Sequence, residues 1–183
     1  MKRYGLIGIL LLAAALRIFQ LGAVPPSPSL DEVSLGYNAY SLLKTGMDEF
    51  GTRFPVLLRA YDDFRPALYV YFVIPFTALL GLTAVAVRIP SVVFGILSVF
   101  MVYRLARVLF PKLPVVPIAA SFLLAVSPWH VYLSRLGHEV NLGFAVTVAA
   151  LWSFMEFVRA PARKNWLYAA GVLFGLSLWT YQS

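Results

Sequence analysis

Six apolar runs, at 4–24, 67–82, 90–109, 115–129, 142–158 and 166–181, leave this chain little choice of fold. The longest match the roughly 20 residues that the hydrocarbon core of a bilayer demands of a helix. Of the 183 residues, 61% are hydrophobic and 13% charged, and the mean hydropathy is +0.80, too apolar for an ordinary soluble domain. The expected class is all-α, a polytopic transmembrane helical protein.

The basic residues set the expected topology. A formal net charge of +7 would suit a nucleic-acid partner, but Lys and Arg fall in short clusters between apolar runs, where span ends carry them, so no nucleic acid is expected. Lys2 and Arg3 place the N-terminus in the cytoplasm, with 1–24 as an uncleaved first span rather than a signal peptide. If all six runs crossed, Arg104, Arg107 and Lys112, and then Arg159, Arg163 and Lys164, would lie outside. If the 66–82 run is instead embedded and returns to the same face, both clusters become cytoplasmic. That parity predicts about five crossings: 1–24, then about 90–109, 115–129, 142–158 and 166–181. Residues 25–89 form an outer loop, and 90–183 a bundle. The protein is expected as one module over 1–183 in the cell (plasma or inner) membrane. The last run stops at Gln182-Ser183 without a closing tail, the pattern of an incomplete N-terminal fragment.

The outer loop is where chemistry is concentrated. Six of the eight acidic residues, Asp31, Glu32, Asp48, Glu49, Asp62 and Asp63, lie within 25–66. A proline run, Pro25-Pro26-Ser27-Pro28, delivers Asp31 and Glu32 together at the end of the first span. Ser29-Leu30-Asp31-Glu32 fits a capping box. Val33, Gly36, Tyr37, Tyr40 and Leu43 share one face, and Gly46 stops the run, so an amphipathic helix over 30–45 is expected along the interface. Residues 48–64 read as loop.

Asp31 and Glu32 are the candidate catalytic pair, since a carboxylate at a bilayer face is placed to act as general base toward a hydroxyl. Helix capping accounts for Glu32 equally well, but one cap does not need both acids. Asp62, Asp63 and Arg65 form either a second rim of the same site, with Arg65 on a phosphate, or a local charge pairing before Pro66. Arg88 is a phosphate candidate or a snorkelling side chain. Arg135, His138 and Glu139 stand at i, i+3 and i+4, so a helical turn would gather them; Arg135 suits a leaving phosphate. Asn141 is a candidate cap for the next span, Arg17 reaches toward the outer interface, and Trp129, His130 and Tyr132 read as an interfacial aromatic belt.

Other chemistries find no support. There is no cysteine, and His130 and His138 are too few for a histidine-rich metal cage. No Walker, GxGxxG, HExxH or GxSxG motif occurs.

The order of these pieces resembles the N-terminal part of the bacterial GT-C glycosyltransferases of family 39, the protein O-mannosyltransferase-like enzymes. The matching pieces are Leu30-Asp31-Glu32, Arg65-Pro66-Ala67-Leu68-Tyr69, Ala86-Val87-Arg88-Ile89-Pro90, Ser127-Pro128-Trp129-His130, Ser134-Arg135 and Glu139-Val140-Asn141. The family usually has Pro-Pro where this chain has Pro66-Ala67. The resemblance implies a polyprenyl-phosphate sugar as lipid-linked donor and an acceptor protein or glycan. Transfer to the acceptor hydroxyl would occur at the outer face with inversion, in contact with membrane lipid. It also implies Asp31 as base with Glu32 in support, Arg88 and Arg135 as partners of acids or of donor phosphate, and Glu139 as an acid of the second outer loop. Asp31 and Glu32 are adjacent, unlike the Asp-x-Asp pattern of the related metal-dependent oligosaccharyltransferases. No metal site and no cofactor beyond the donor is therefore expected. Two other readings of the same rim are an ion- or proton-coupled transporter and a non-catalytic membrane subunit.

Overall fold

The computed structural model describes residues 2–60 and 63–180, with side chains for 4–60 and 64–180. Within these residues the chain forms eight helices and one short hairpin. Helix α1 (Lys2–Ile18) leads through a turn-rich connection to α2 (Leu30–Thr45), hairpin strands β1 (Leu57–Ala60) and β2 (Asp63–Pro66), and α3 (Leu68–Leu80). Then follow α4 (Ala84–Leu109), α5 (Val116–Val126), α6 (Pro128–Ser134), α7 (Val140–Arg159) and α8 (Lys164–Ser177).

Helices α4 and α7 are long and apolar enough to cross a membrane, and α5 with α6 makes a third candidate span bent by 59°. The chain is a membrane protein of mostly helical build. The bend falls at Ser127-Pro128, inside the apolar run read as one span over 115–129. Pro128 sits in the first turn of α6, where its missing N–H costs nothing. The span expected from 90 begins earlier, at Ala84, because the Thr83 hydroxyl accepts the Ala86 N–H at 3.2 Å and caps the helix there.

Helix α2 starts where its sequence says it should. Glu32 N–H donates to Ser29 Oγ at 3.2 Å, Ser29 N–H donates to Glu32 Oε2 at 2.8 Å, and Gly46 closes the helix at φ 72°. A left-handed residue there favours glycine. Leu35, Ala39 and Leu42 bury one side of α2 with Tyr69, Val70 and Val73 of α3, and Leu58, Ala67, Val87 and Leu142 complete the cluster. Burial of each leucine contributes roughly 1.5–3 kcal/mol. The opposite side leaves Leu30, Val33, Tyr37, Tyr40 and Leu43 exposed, an apolar face suited to a bilayer surface.

The segment read as loop between 48 and 64 is partly strand. Leu57 pairs with Pro66 and Ala60 with Asp63 in antiparallel register, and Met47 bridges Arg53. Leu58 and Ala60 are buried while Leu57 and Arg59 are exposed, the alternation of a half-buried strand. Four residues per strand are too few for that alternation to stand out beside Gly51 and Pro55. Pro66 accordingly belongs to β2, and the following helix starts after Ala67.

Candidate active site

Two connections separated by about a hundred residues meet at one end of the bundle. Gly137 N–H, between α6 and α7, donates to Glu32 Oε1 at 3.0 Å. Arg88 Nε, on the second turn of α4, donates to the same oxygen at 2.6 Å, and its Nη2 reaches Glu32 Oε2 at 3.3 Å. The remaining Arg88 donors go to the carbonyls of Leu21 at 2.8 Å, Pro25 at 3.0 Å and Ser27 at 3.4 Å. With the Ser29 N–H, Glu32 accepts four bonds, as many as a carboxylate offers.

Burial by itself would raise the Glu32 carboxyl. The bonds from Arg88 and from the Ser29 and Gly137 backbone, with the Arg88 charge, outweigh it and hold the group below the ordinary value of 4.5. Glu32 is therefore an ionised, saturated tie between the proline run, α2, α4 and the α6–α7 connection. It has no lone pair left for an incoming hydroxyl.

Asp31, one residue earlier, is differently placed. Its side chain is 39% exposed, and Oδ1 accepts from Arg65 Nη2 at 2.8 Å, which links α2 to β2. Oδ2 faces His138 Nε2 at 3.8 Å. On the far side of that ring, Nδ1 accepts the Val140 N–H at 3.3 Å. The same Nδ1 lies 3.4 Å from Glu139 Oε2. Glu139 is 5% exposed. Its Oε2, like Arg65 Nη1, is shielded from solvent and lacks a hydrogen-bond partner within the described residues. Arg65, which pairs with Asp31, thus keeps one shielded donor, and Glu139, beside His138, one shielded acceptor.

The structure brings Asp31, Arg65, His138 and Glu139 together, with Glu32 and Arg88 directly beneath. Arg135 lies apart. Its guanidinium donates to the carbonyls of Leu16 at 2.9 Å, Arg17 at 3.4 Å, Gln20 at 3.2 Å and Val24 at 2.9 Å, closing the end of α1. The helical turn expected to gather Arg135, His138 and Glu139 does not form, because the backbone leaves the helix at Arg135 and re-enters only at Val140. Asp62 lies outside the described residues, as does the side chain of Asp63.

Several supporting residues have partners other than those read from the sequence. Tyr69 is fully buried and donates to the Val87 carbonyl at 2.8 Å. Asn141 caps nothing; its Nδ2 donates to Ser91 Oγ at 2.9 Å, joining α7 to α4. Arg17 is fully buried and bonds the Ala13 and Ala125 carbonyls and His130 Nδ1, the last at 2.7 Å. An arginine inside an apolar run is itself a signal that partners must exist, although it does not name them. Trp129 and Tyr132 are exposed, while His130 is buried.

A mostly apolar groove of about 200 Å³ opens beside Glu32, lined by Pro28, Val33, Tyr37, Leu82 and Val87 among others. A larger cavity of about 730 Å³ at the α7–α8 turn is lined by residues between Ala162 and Ala169 and contains no carboxylate, so it offers no base.

A helical membrane bundle with acids, arginines and a histidine converging where two connections meet defines a polytopic membrane protein with a polar site at its span ends. Residues 65–183 match the dolichyl-phosphate-mannose-protein mannosyltransferase family, well over half of the chain, and the chain belongs to that family. It is a membrane glycosyltransferase of the GT-C, mannosyltransferase-like type. The match opens at Arg65, so Asp31 and Glu32 lie upstream of it. No curated protein and no solved structure showed a significant match to the chain.

Proposed function

We propose that this protein transfers a sugar from a polyprenyl-phosphate donor to the hydroxyl of an acceptor protein or glycan, with Asp31 as general base. The observation that carries the assignment is the contrast within the adjacent pair. Glu32 is saturated, whereas Asp31 is solvent-facing, oriented by Arg65 and set opposite His138. In the reaction, the acceptor O–H gives its proton to Asp31 as its oxygen attacks the anomeric carbon. The bond from that carbon to the phosphate oxygen breaks, and polyprenyl phosphate leaves. Attack opposite the leaving group inverts the anomeric centre.

The Arg65 Nη1, unmet within the described residues, is the donor best placed for the phosphate, and the His138 ring lies beside Asp31 where the acceptor would enter. Separations such as 3.8 Å are common in unliganded sites and tighten on binding. The apolar groove beside Glu32 suits the start of the lipid tail, which holds the donor at the membrane surface and supplies much of the rate through proximity.

The reading includes five crossings, formed by α1, α4, the bent α5–α6 pair, α7 and α8, with α2, the hairpin and α3 at the outer face of the cell membrane. It is supported by the meeting of Glu32 with Gly137, which requires both connections at one end of the bundle. Arg17, buried within α1, has its Nη groups taken up by carbonyls and His130, an arrangement that ties α1 to α5 and α6. The test is transfer of labelled sugar from a lipid-linked donor by the Asp31→Asn variant, and transfer at the wild-type rate would remove the mechanism.

A further inference from the structure

The opposite end of the bundle holds a second polar cavity that the transfer reaction does not use. Arg104 follows Arg88 on α4 by 16 positions, a rise of about 24 Å. There a cavity of about 510 Å³ opens between the ends of α4 and α7 and the start of α5, lined by Arg104, Arg107, Glu156, Arg159 and Pro117 among others. Three guanidinium groups share it with one carboxylate, leaving a surplus of two positive charges.

The arginines are organised, not merely present. The Arg104 guanidinium stacks over Trp152 at 4.4 Å, and Arg107 lies over Tyr103 at 5.7 Å. Trp152 Nε1 donates to Glu156 Oε1 at 3.1 Å, so the indole holds the carboxylate and the cation together. Arg104 reaches Glu156 only at 3.9 Å, well beyond the roughly 2.7–2.9 Å of a charge-assisted hydrogen bond, so the carboxylate does not satisfy it. The first turn of α5, without a side-chain cap, brings the positive end of its dipole to the cavity, while the last turns of α4 and α7 bring negative ends that Arg107 and Arg159 offset. Membrane orientation needs basic residues somewhere near span ends, not stacked guanidinium groups in a common cavity. Lys112, Arg163 and Lys164 serve that purpose at the same end without lining it.

We propose that this cavity binds the phosphate of an anionic phospholipid headgroup. Exposed Phe110 in its lining, with exposed Leu109, Val115 and Val158 next in sequence to lining residues, supplies the apolar shelf that acyl chains need. A zwitterionic headgroup would bring an ammonium against guanidinium groups already in surplus. Lipid bound here bridges α4, α5 and α7 at the end remote from Asp31.

The test uses the full chain in phosphatidylcholine nanodiscs containing a minor fraction of phosphatidylglycerol, with bound lipid read by native mass spectrometry. Wild type should retain phosphatidylglycerol selectively. Arg107→Gln/Arg159→Gln, both exposed positions, should weaken that retention roughly 30-fold, on the basis of two contacts of ordinary juxtamembrane strength. If the double variant does not fold, Arg159→Gln alone should show about a fivefold loss. Lys112→Gln/Lys164→Gln removes the same charge from the same end outside the cavity and should leave retention intact. Equal loss in both double variants would mean diffuse attraction and would overturn the site, as would absence of any preference for phosphatidylglycerol. Displacement of the lipid by millimolar inorganic phosphate would make free phosphate the ligand and overturn the lipid assignment.

Discussion

Glu32 and Arg88 face each other in a two-armed ion pair of 2.6 and 3.3 Å, with side chains 1% and 0% exposed. Removing one member leaves the other charged and unpaired in a dry site, which costs about 3–5 kcal/mol. Glu32→Gln keeps the shape and removes the charge, so its loss of stability should lie at or just below that range. Replacing both members with apolar residues, Glu32→Leu with Arg88→Met, should recover much of the loss by sparing both desolvation costs. Unfolding of the purified protein in detergent checks both, and equal stability of Glu32→Gln and wild type would show that the pair is not a tie.

The same carboxylate sets a pH dependence. Its proton affinity is lowered in the folded protein, so the unfolded chain binds more protons as the medium turns acidic. The stabilisation from Glu32 is complete above the ordinary value of 4.5 and is lost as pH falls through the depressed folded value. Melting temperature against pH should therefore show a gap between wild type and Glu32→Gln that is constant near neutrality and closes on the acid side of 4.5. A gap unchanged down to the lowest pH at which the protein stays soluble would contradict the assigned tie.

Asp31→Asn separates base from scaffold. Asp31 is partly exposed and makes one direct ion pair, with Arg65, so the substitution should change stability by no more than about 1 kcal/mol. Loss of a general base should lower the transfer rate about 100- to 10,000-fold. Arg65→Gln should act differently, raising KM for the lipid-linked donor as well as lowering kcat, because its free Nη1 is assigned to the phosphate. Comparable loss of stability and rate in Asp31→Asn would turn Asp31 into a structural residue.

These separations explain what the sequence could and could not disclose. The Ser29–Glu32 box and the Gly46 stop depend on residues three or four positions apart, and spacing alone reveals them. Charge parity along the chain, which uses where Arg104 and Arg159 must lie, predicts a crossing count but not that Glu32 and Gly137 meet. The partner of each side chain was not legible. Arg135 serves carbonyls 111 to 119 positions away, and backbone carbonyls carry no signature in a sequence. Capping already set Glu32 apart from Asp31 in the sequence, but that Arg88 and Gly137 both arrive at Glu32 could not be read there.

Gly137 is needed for its lack of a side chain. A Cβ there would lie 2.5 Å from Val87 Cγ1, 3.1 Å from the Val87 carbonyl oxygen and 3.2 Å from Glu32 Cγ. The first contact is with a side chain fixed in the core and the second with backbone, so neither gives way cheaply. Gly137→Ala should cost about 1–3 kcal/mol and lengthen the bond to Glu32. Val87→Ala in the same chain should return part of that, since it removes the closest methyl. Failure of Gly137→Ala to shift the melting temperature would show that the connection is free to move away from α4.

The absence of native cysteine makes the topology directly accessible to single-cysteine labelling. Leu30 and Tyr132 are exposed at the end that holds the Glu32–Gly137 bond, and Lys112 and Arg163 are exposed beyond the ends of α4 and α7. With five crossings, Leu30→Cys and Tyr132→Cys should react with an impermeant maleimide added to intact cells. Lys112→Cys and Arg163→Cys should react only after the membrane is opened. Six crossings would place Leu30 and Tyr132 on opposite sides, so that only one of the two would label in intact cells. Labelling of Lys112→Cys in intact cells, with Leu30→Cys protected, would invert the protein in the membrane and put Asp31 on the cytoplasmic face, away from any acceptor outside.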